Sequence, residues 1–303
     1  MHAMTRRLFF PALIAVCAIS TSQGAVGPIR VLIIDGQNNH DWKSMTPPMK
    51  TLLESTTRFT VDVATTPAKN AAKTAWSEFQ PDFSKYDVVV SNYNGESWPA
   101  RVNDALTKFV QNGGGLVVVH AANNAFEGWS DWNDMIGLGW RGNKFGDRIS
   151  LNETGEVVRT PKGEGPGAGH GPQHAYQVVI RDKEHPITKG LPTEWMHAKD
   201  ELYHGQRGPA KNMNVLASAF SDSKKGGTGT NEPMLWVIPN GMGRVFTTLL
   251  GHVGNGDTTA IRCLGFQATF LRGTEWAATG NVTLPLPVEF PSPSEVKLAP
   301  ASK

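Results

Sequence analysis

Cysteine is nearly absent from this sequence: Cys17 and Cys263 are the only two in 303 residues. Cys17 falls in an apolar N-terminal stretch that reads as removable, so one cysteine remains. That excludes an intramolecular disulfide and any CxxC-type redox or zinc site, and a lone cysteine in an oxidising compartment is safer buried than reactive. Charge is sparse as well, at 18% Asp, Glu, Lys and Arg. No cluster of Lys and Arg could track a phosphate backbone, which argues against nucleic acid as a partner. There is no Gly-x-Ser-x-Gly elbow, no Walker loop and no HExxH. Gly113-Gly114-Gly115 precedes an apolar strand-like run, so it stops a helix and cannot cradle phosphate as a strand-to-helix loop does. The size of the chain offsets these absences, because a chain this long buries a core without disulfides or a structural metal.

The N-terminus carries Arg6 and Arg7, an apolar run from Leu8 to Ile19 and the small residues Ser22-Gln23-Gly24-Ala25. Residues 1–25 therefore read as a secretory signal, too short to anchor in a bilayer, and the mature chain is expected in the periplasm or outside the cell. Ile14-Ala15-Val16 lacks the small residue expected before a lipidated cysteine. The signal holds two basic residues and no acidic ones, so 29 less two leaves 27 basic against 27 acidic, a formally neutral mature protein. Residues 26–280 read as one domain and 281–303 as a Pro-rich tail, loose or draped on the surface.

Ile29 to Asp35 (IRVLIID) is a continuous apolar run ending in a Gly-containing turn, the pattern of a buried parallel strand. A helix is expected over Thr46 to Ser55 with prolines in its first turn. Strands are expected at Phe59 to Val63, Tyr86 to Val90 and Leu116 to Val119, with an amphipathic helix from Pro99 to Val110. Strands alternating with helices predict an α/β fold with a doubly wound, mostly parallel sheet, whose ligands sit beyond the carboxyl ends of the strands. The stretch from Trp129 to Gln173 reads as irregular. Further strands are expected at Ala175 to Asp182, Val215 to Ala219, Met234 to Ile238 and Arg244 to Leu250, and a closing helix from Thr258 to Ala277.

Four histidines fall at expected strand ends: His40, His120, His204 and His252. Imidazole titrates near neutrality and binds metals when neutral, so a cluster of them suits proton transfer or metal ligation. Glu201 is their carboxylate companion as base, acid or ligand, unless it merely pairs with Arg207 or Arg244. His170 and His174 lie in a Gly-rich loop as lid or substrate candidates, while His185 and His197 read as structural. Trp42, Trp98 and Trp140 are either core plugs or stacking platforms for a sugar ring. Asn39, Asn123 and Asn124 supply amides suited to sugar hydroxyls.

The segments VLIIDGQNNHDW, GGGLVVVHAANNAF, HPITKGLP, DELYH and PMLWVIPNGMGRVFTTLLGH resemble the trehalose-utilisation (ThuA-like) family from about Ile29 to Gly280. The resemblance implies a flavodoxin-like sheet related to class I glutamine amidotransferases, with extra strands and loops. Those enzymes carry a cysteine nucleophile at the turn after a central strand and a histidine late in the chain. Here His120 occupies that turn and His252 matches the late histidine approximately, so glutamine hydrolysis has no nucleophile. The family is associated with the use of disaccharides and glycosides, often beside sugar oxidoreductases that make 3-keto sugars. A ketone at C3 acidifies the C2 proton, so the glycosidic bond can leave by elimination. In that scheme His120 and Glu201 move protons, while His40, His204 and His252 polarise the ketone or, with His120 and Glu201, hold a divalent metal. A hydrolase acting on another polyol or glycan and a non-catalytic carbohydrate-binding protein are the alternatives.

Overall fold

A computed structural model of the chain describes residues 27–301. The expected secretory signal, residues 1–25, lies outside the described residues. The first strands are β1 (Ile29–Asp35), β2 (Phe59–Thr65), β3 (Val88–Ser91) and β4 (Gly115–Val119), alternating with the helices α1 (Trp42–Glu54), α2 (Lys73–Glu78) and α3 (Ala100–Gln111). The segment expected to be irregular contains α4 (Ser130–Ile136), β5 (Asp147–Leu151), β6 (Val157–Thr160) and β7 (Gly169–His170). After these come β8 (His174–Ile180), β9 (Glu194–Asp200), β10 (Tyr203–His204), β11 (Arg207–Gly208), β12 (Asn214–Ser221), β13 (Thr230–Asn240) and β14 (Gly243–Thr248). The helices α5 (Thr259–Arg262) and α6 (Leu264–Thr279) close the fold.

The protein is a mixed α/β structure on one large sheet, whose main path is β2-β1-β3-β4-β14-β13-β12-β8-β9. Strands β2, β1, β3, β4 and β14 pair in parallel. Strands β13, β12, β8 and β9 continue the sheet antiparallel, so it is less parallel than its first half suggests. The physical reason is connection length. Helical crossovers early in the chain return each strand in the same direction, whereas Gly241-Met242 alone links β13 to β14 and forces a hairpin.

Strands β1, β3 and β4 are buried along nearly their whole length, as continuous apolar runs require when both faces are covered. On β14, Phe246 packs against Gly273 of α6, while Gly243, on the opposite pleat, leaves room for the Val110 carbonyl of α3. Helices α6 and α3 therefore lie on opposite faces. Gly265 of α6 admits the indole of Trp195 from β9, so the far end of the sheet curls back onto the same helix.

Helix α1 begins four residues before the expected start, because Asp41 caps it by accepting a hydrogen bond from the Ser44 amide. Pro47 and Pro48 thus sit in its second turn. The expected single closing helix is broken at Cys263, whose ψ of 125° is not helical. The tail explains the break: the amide of Leu264 donates to the Lys297 carbonyl and the amide of Ala299 donates to that of Arg262. The tail is also fastened elsewhere, with Phe290 edge-on to Trp195 and the Met196 amide bonded to Ser292. No described helix is long and apolar enough to cross a membrane.

Candidate active site

His40, His120 and His252 follow β1, β4 and β14, so the parallel half delivers all three to the same edge of the sheet. Glu201 reaches that edge by a different route. Each antiparallel pairing from β14 through β13, β12 and β8 reverses direction, so β9 runs the same way as β14 and ends at the site. Sequence pattern missed β9 because Glu-Trp-Met-His-Ala-Lys-Asp shows no apolar alternation, although Trp195, His197, Ala198 and Asp200 are buried.

The Glu201 carboxylate lies at the centre of four imidazoles. Its Oε1 is 3.3 Å from His252 Nε2 and 3.7 Å from His170 Nε2. Its Oε2 is 3.6 Å from His120 Nε2 and 3.7 Å from His40 Nε2. The side chains of His40, His120, His252 and Glu201 are all at most 11% exposed. Neither arginine weighed as a partner for Glu201 is available to it. Arg207 donates to the carbonyls of Gly146, Pro161, Glu164 and Pro166, and Arg244 to those of Trp276, Ala277 and Ala278.

His120 is held in one tautomer. Its Nδ1 donates to the Leu249 carbonyl at 2.7 Å, so the neutral ring presents a lone pair at Nε2. That Nε2 and Glu201 Oε2 are both buried without a hydrogen-bond partner. The backbone at His120 is left-handed, with φ of 46°, a costly conformation for a side-chain-bearing residue and one found preferentially at functional sites. His40 Nε2 lies 3.0 Å from the Tyr203 hydroxyl. Burial, aided by the Glu201 charge, pushes the Tyr203 phenol well above its usual range and keeps it protonated.

Burial, reinforced by His120 and only partly opposed by Glu201, lowers the His40 pKa to about 3. Burial also lowers His252. For Glu201 burial acts upward, but the charge attraction of His120, 3.6 Å away, and of His252 and His170 outweighs it and holds the carboxyl at about 2. At neutral pH the site therefore presents a carboxylate with His40 and His252 neutral. His40, Glu201 and His252 each offer one ligand atom, all within 4.8 Å of one another, a group that could hold a divalent metal. Two neutral imidazoles and a carboxylate form a donor set suited to zinc and to other first-row metals.

Beneath the site, Asp200 is fully buried and organises its neighbours. Its Oδ1 accepts from the amides of Glu201 at 2.7 Å and His252 at 3.1 Å. Its Oδ2 accepts from His197 Nε2 and from the Gly251 amide, both at 2.7 Å. Burial acts to lower the His197 pKa, yet the Cys263 sulfur and the Asp200 carboxylate raise it to about 9. Cys263 is thus buried beside His197 at the break between α5 and α6, and not within a helix as the sequence suggested.

Several expected site residues lie elsewhere. Tyr203 and His204 are adjacent on β10 and point to opposite sides, so Tyr203 enters the cluster while His204 Nδ1 pairs with Ser221 Oγ at 3.1 Å. Trp98 is 4% exposed among Phe79, Tyr93, Phe126 and Trp129, which makes it core packing and no sugar platform. Asn123 is fully buried and ties its turn to Gln206. Asn124 remains beside the Tyr203 hydroxyl. Trp140 packs edge-on to Tyr203 at 4.7 Å, and Trp42 is half-buried at the start of α1. In the Gly-rich loop it is His170 that reaches Glu201, because β7 pairs with β10 and sets His170 opposite Tyr203. His174 instead turns its Nδ1 to the Pro172 carbonyl. Sequence reasoning also missed Tyr203, Asp200 and Gln173, whose amide nitrogen lies 3.2 Å from His252 Nε2.

The family model ThuA, described as trehalose utilisation, matches residues 30–277. This chain belongs to the ThuA family. A solved ThuA-like protein from Parabacteroides merdae is similar to it at 42% identity and a TM-score of 0.84, covering 90% of this chain and 98% of that one. A second ThuA-like structure, from Bacteroides uniformis, covers 91% of this chain and 97% of its own at 20% identity, with a TM-score of 0.55, a likeness of fold alone. A comparison with curated proteins finds no match. The family description points to a carbohydrate-related role.

Proposed function

We propose that this ThuA-family protein acts on glycosides by proton transfer, cleaving or isomerising sugars oxidised at C3. The observation that carries this reading is the buried Glu201 carboxylate, set 3.3 to 3.7 Å from four imidazole Nε2 atoms. His120 Nε2, with its lone pair fixed outward by the bond from Nδ1 to Leu249, takes the C2 proton. The protonated Tyr203 hydroxyl and His40 stabilise charge on the C3 oxygen. As the C2–H and C1–O bonds break and a C1–C2 double bond forms, the proton that His120 takes from C2 passes to the departing glycosidic oxygen, which leaves as the alcohol and restores the neutral imidazole. Glu201 steadies the intervening imidazolium of His120. A divalent metal held by His40, Glu201 and His252 would supply Lewis-acid polarisation of the ketone. His204, directed to Ser221, has no direct part in this scheme.

The reading extends to export, supported by Arg6, Arg7 and the apolar run after them, and to a partner sugar oxidoreductase that makes the ketone. It also takes the parallel order β2-β1-β3-β4-β14 as a flavodoxin-like half within an amidotransferase-like fold. The test is turnover of a C3-oxidised disaccharide by purified protein, before and after chelation, with metal content measured alongside. Turnover abolished by His120→Gln in a folded protein is the expected result. Unchanged sugar affinity with no turnover on any keto sugar would overturn it in favour of a binding protein.

A further inference from the structure

Two cavities meet at Asn39. The first, about 580 Å³, is lined by His40, Glu201, His252 and Gln173 and is the site described above. The second, about 670 Å³, lies on the other side of Asn39 and is lined by Trp42, Asn94, Glu96 and Lys69 among others. Both volumes suit small-molecule sites, which run from roughly 300 to 1,000 Å³.

The wall of the second cavity is built, not merely polar. Asn94 Nδ2 donates to Asn39 Oδ1 at 2.5 Å, joining the loops after β3 and β1. Gln37 locks the Asn94 loop by accepting from the Glu96 amide at 3.1 Å and donating to Glu96 Oε2 at 3.2 Å. Glu96 Oε2 also accepts from the Asn70 amide at 3.1 Å. Two carboxamides, Asn39 and Asn94, and the Glu96 carboxylate thus line the cavity with donors and acceptors together, the mixture that adjacent sugar hydroxyls require. Trp42 adds an apolar face, and Lys43 Nζ lies 5.6 Å from its ring centroid.

We propose that the cavity between Trp42, Asn39, Asn94 and Glu96 is a leaving-group subsite, which holds the second, polyhydroxylated ring of a glycoside whose first ring lies at Glu201. This inference rests on the glycoside reading above and adds which residues discriminate between leaving groups. A stacking indole and two carboxamides gain nothing from a methyl group but bind a sugar ring, so they select by the size and hydroxylation of the departing alcohol.

The test compares a C3-oxidised disaccharide with the C3-oxidised methyl glycoside of the same first ring. The wild-type protein should prefer the disaccharide in kcat/KM. Trp42→Ala and Asn94→Ala should each lower that preference roughly tenfold, chiefly through KM for the disaccharide. Two variants are used because Trp42 is the first residue of α1, whereas Asn94 is a half-exposed loop residue. A preference ratio unchanged in both folded variants overturns the subsite while leaving the glycoside reading intact. If the wild-type protein turns over neither compound, that reading fails separately. The same ratio, measured as binding affinity by calorimetry, then decides the subsite: a ratio lost in the variants supports it and equal affinities in the wild-type protein overturn it.

Discussion

Replacing Asp200 by Asn should destabilise the protein by about 3–5 kcal/mol at pH 7, and part of that loss should vanish at high pH. Each carboxylate oxygen of Asp200 faces two donors, Glu201 and His252 amides at one, His197 and the Gly251 amide at the other. An Asn side chain must place an amide N–H against one of these pairs, whichever way it is turned. A buried donor left unpaired costs about 1–3 kcal/mol. Breaking a buried ion pair by removing one partner costs about 3–5 kcal/mol. The pH dependence follows from His197, whose folded pKa of about 9 is raised above the ordinary 6.5. Its contribution, about 3 kcal/mol by linkage, is fully present below pH 6.5 and is lost as pH rises through 9. Of the two groups that raise it, the Cys263 sulfur stays and the Asp200 carboxylate is absent in the Asn variant, so the variant's stability should be flatter over that interval and the gap between the two proteins should narrow above it. Denaturant unfolding from pH 6 to pH 10 measures both quantities. A difference below about 1 kcal/mol at pH 7, or a gap that does not narrow toward pH 10, would refute the account of Asp200 as a charged hub.

Arg207→Met should free the segment 161–167, because Arg207 is fully buried and donates to the carbonyls of Pro161, Glu164 and Pro166. Limited proteolysis should then cut that segment much faster than in the parent, and an unaltered digestion pattern would refute this. Gly171→Ala brings a Cβ to 1.8 Å from the Lys225 carbonyl, so it should lower stability by about 2 kcal/mol. It should also detach His170 from Glu201, and imidazole signals read by NMR would show His170 alone losing its site environment. A His170 signal that keeps its parental shift would count against the loop as its anchor.

Much of the fold was legible in the sequence. Continuous apolar runs such as IRVLIID and GLVVV form strands wherever both faces are covered, and β1 and β4 occur where those runs lie. The placement of His40, His120 and His252 at one edge followed from that pattern, since strands of a parallel half all end on the same side. Local sequence also identified Glu201 as their carboxylate. It could not show how Glu201 arrives there, because that depends on the count of direction reversals between β14 and β9, a property of strand pairing and not of any one segment.

The tertiary structure also decided between residues that are equivalent in sequence. His204 and Tyr203 are neighbours, and only the pairing of β10 with β7 determines that Tyr203 and His170 share the site while His204 faces Ser221. Trp98 and Trp42 both follow expected strands, yet Trp98 is enclosed by four aromatic residues and Trp42 lines a cavity. Asp200, hidden under the site, carried no signal beyond its position next to Glu201. Its importance comes from four donors converging from β9 and from the loop after β14, segments some fifty residues apart that meet only because the sheet curls around α6. Residue type and spacing singled out the histidines and their carboxylate, and long-range pairing settled which of those side chains lie together.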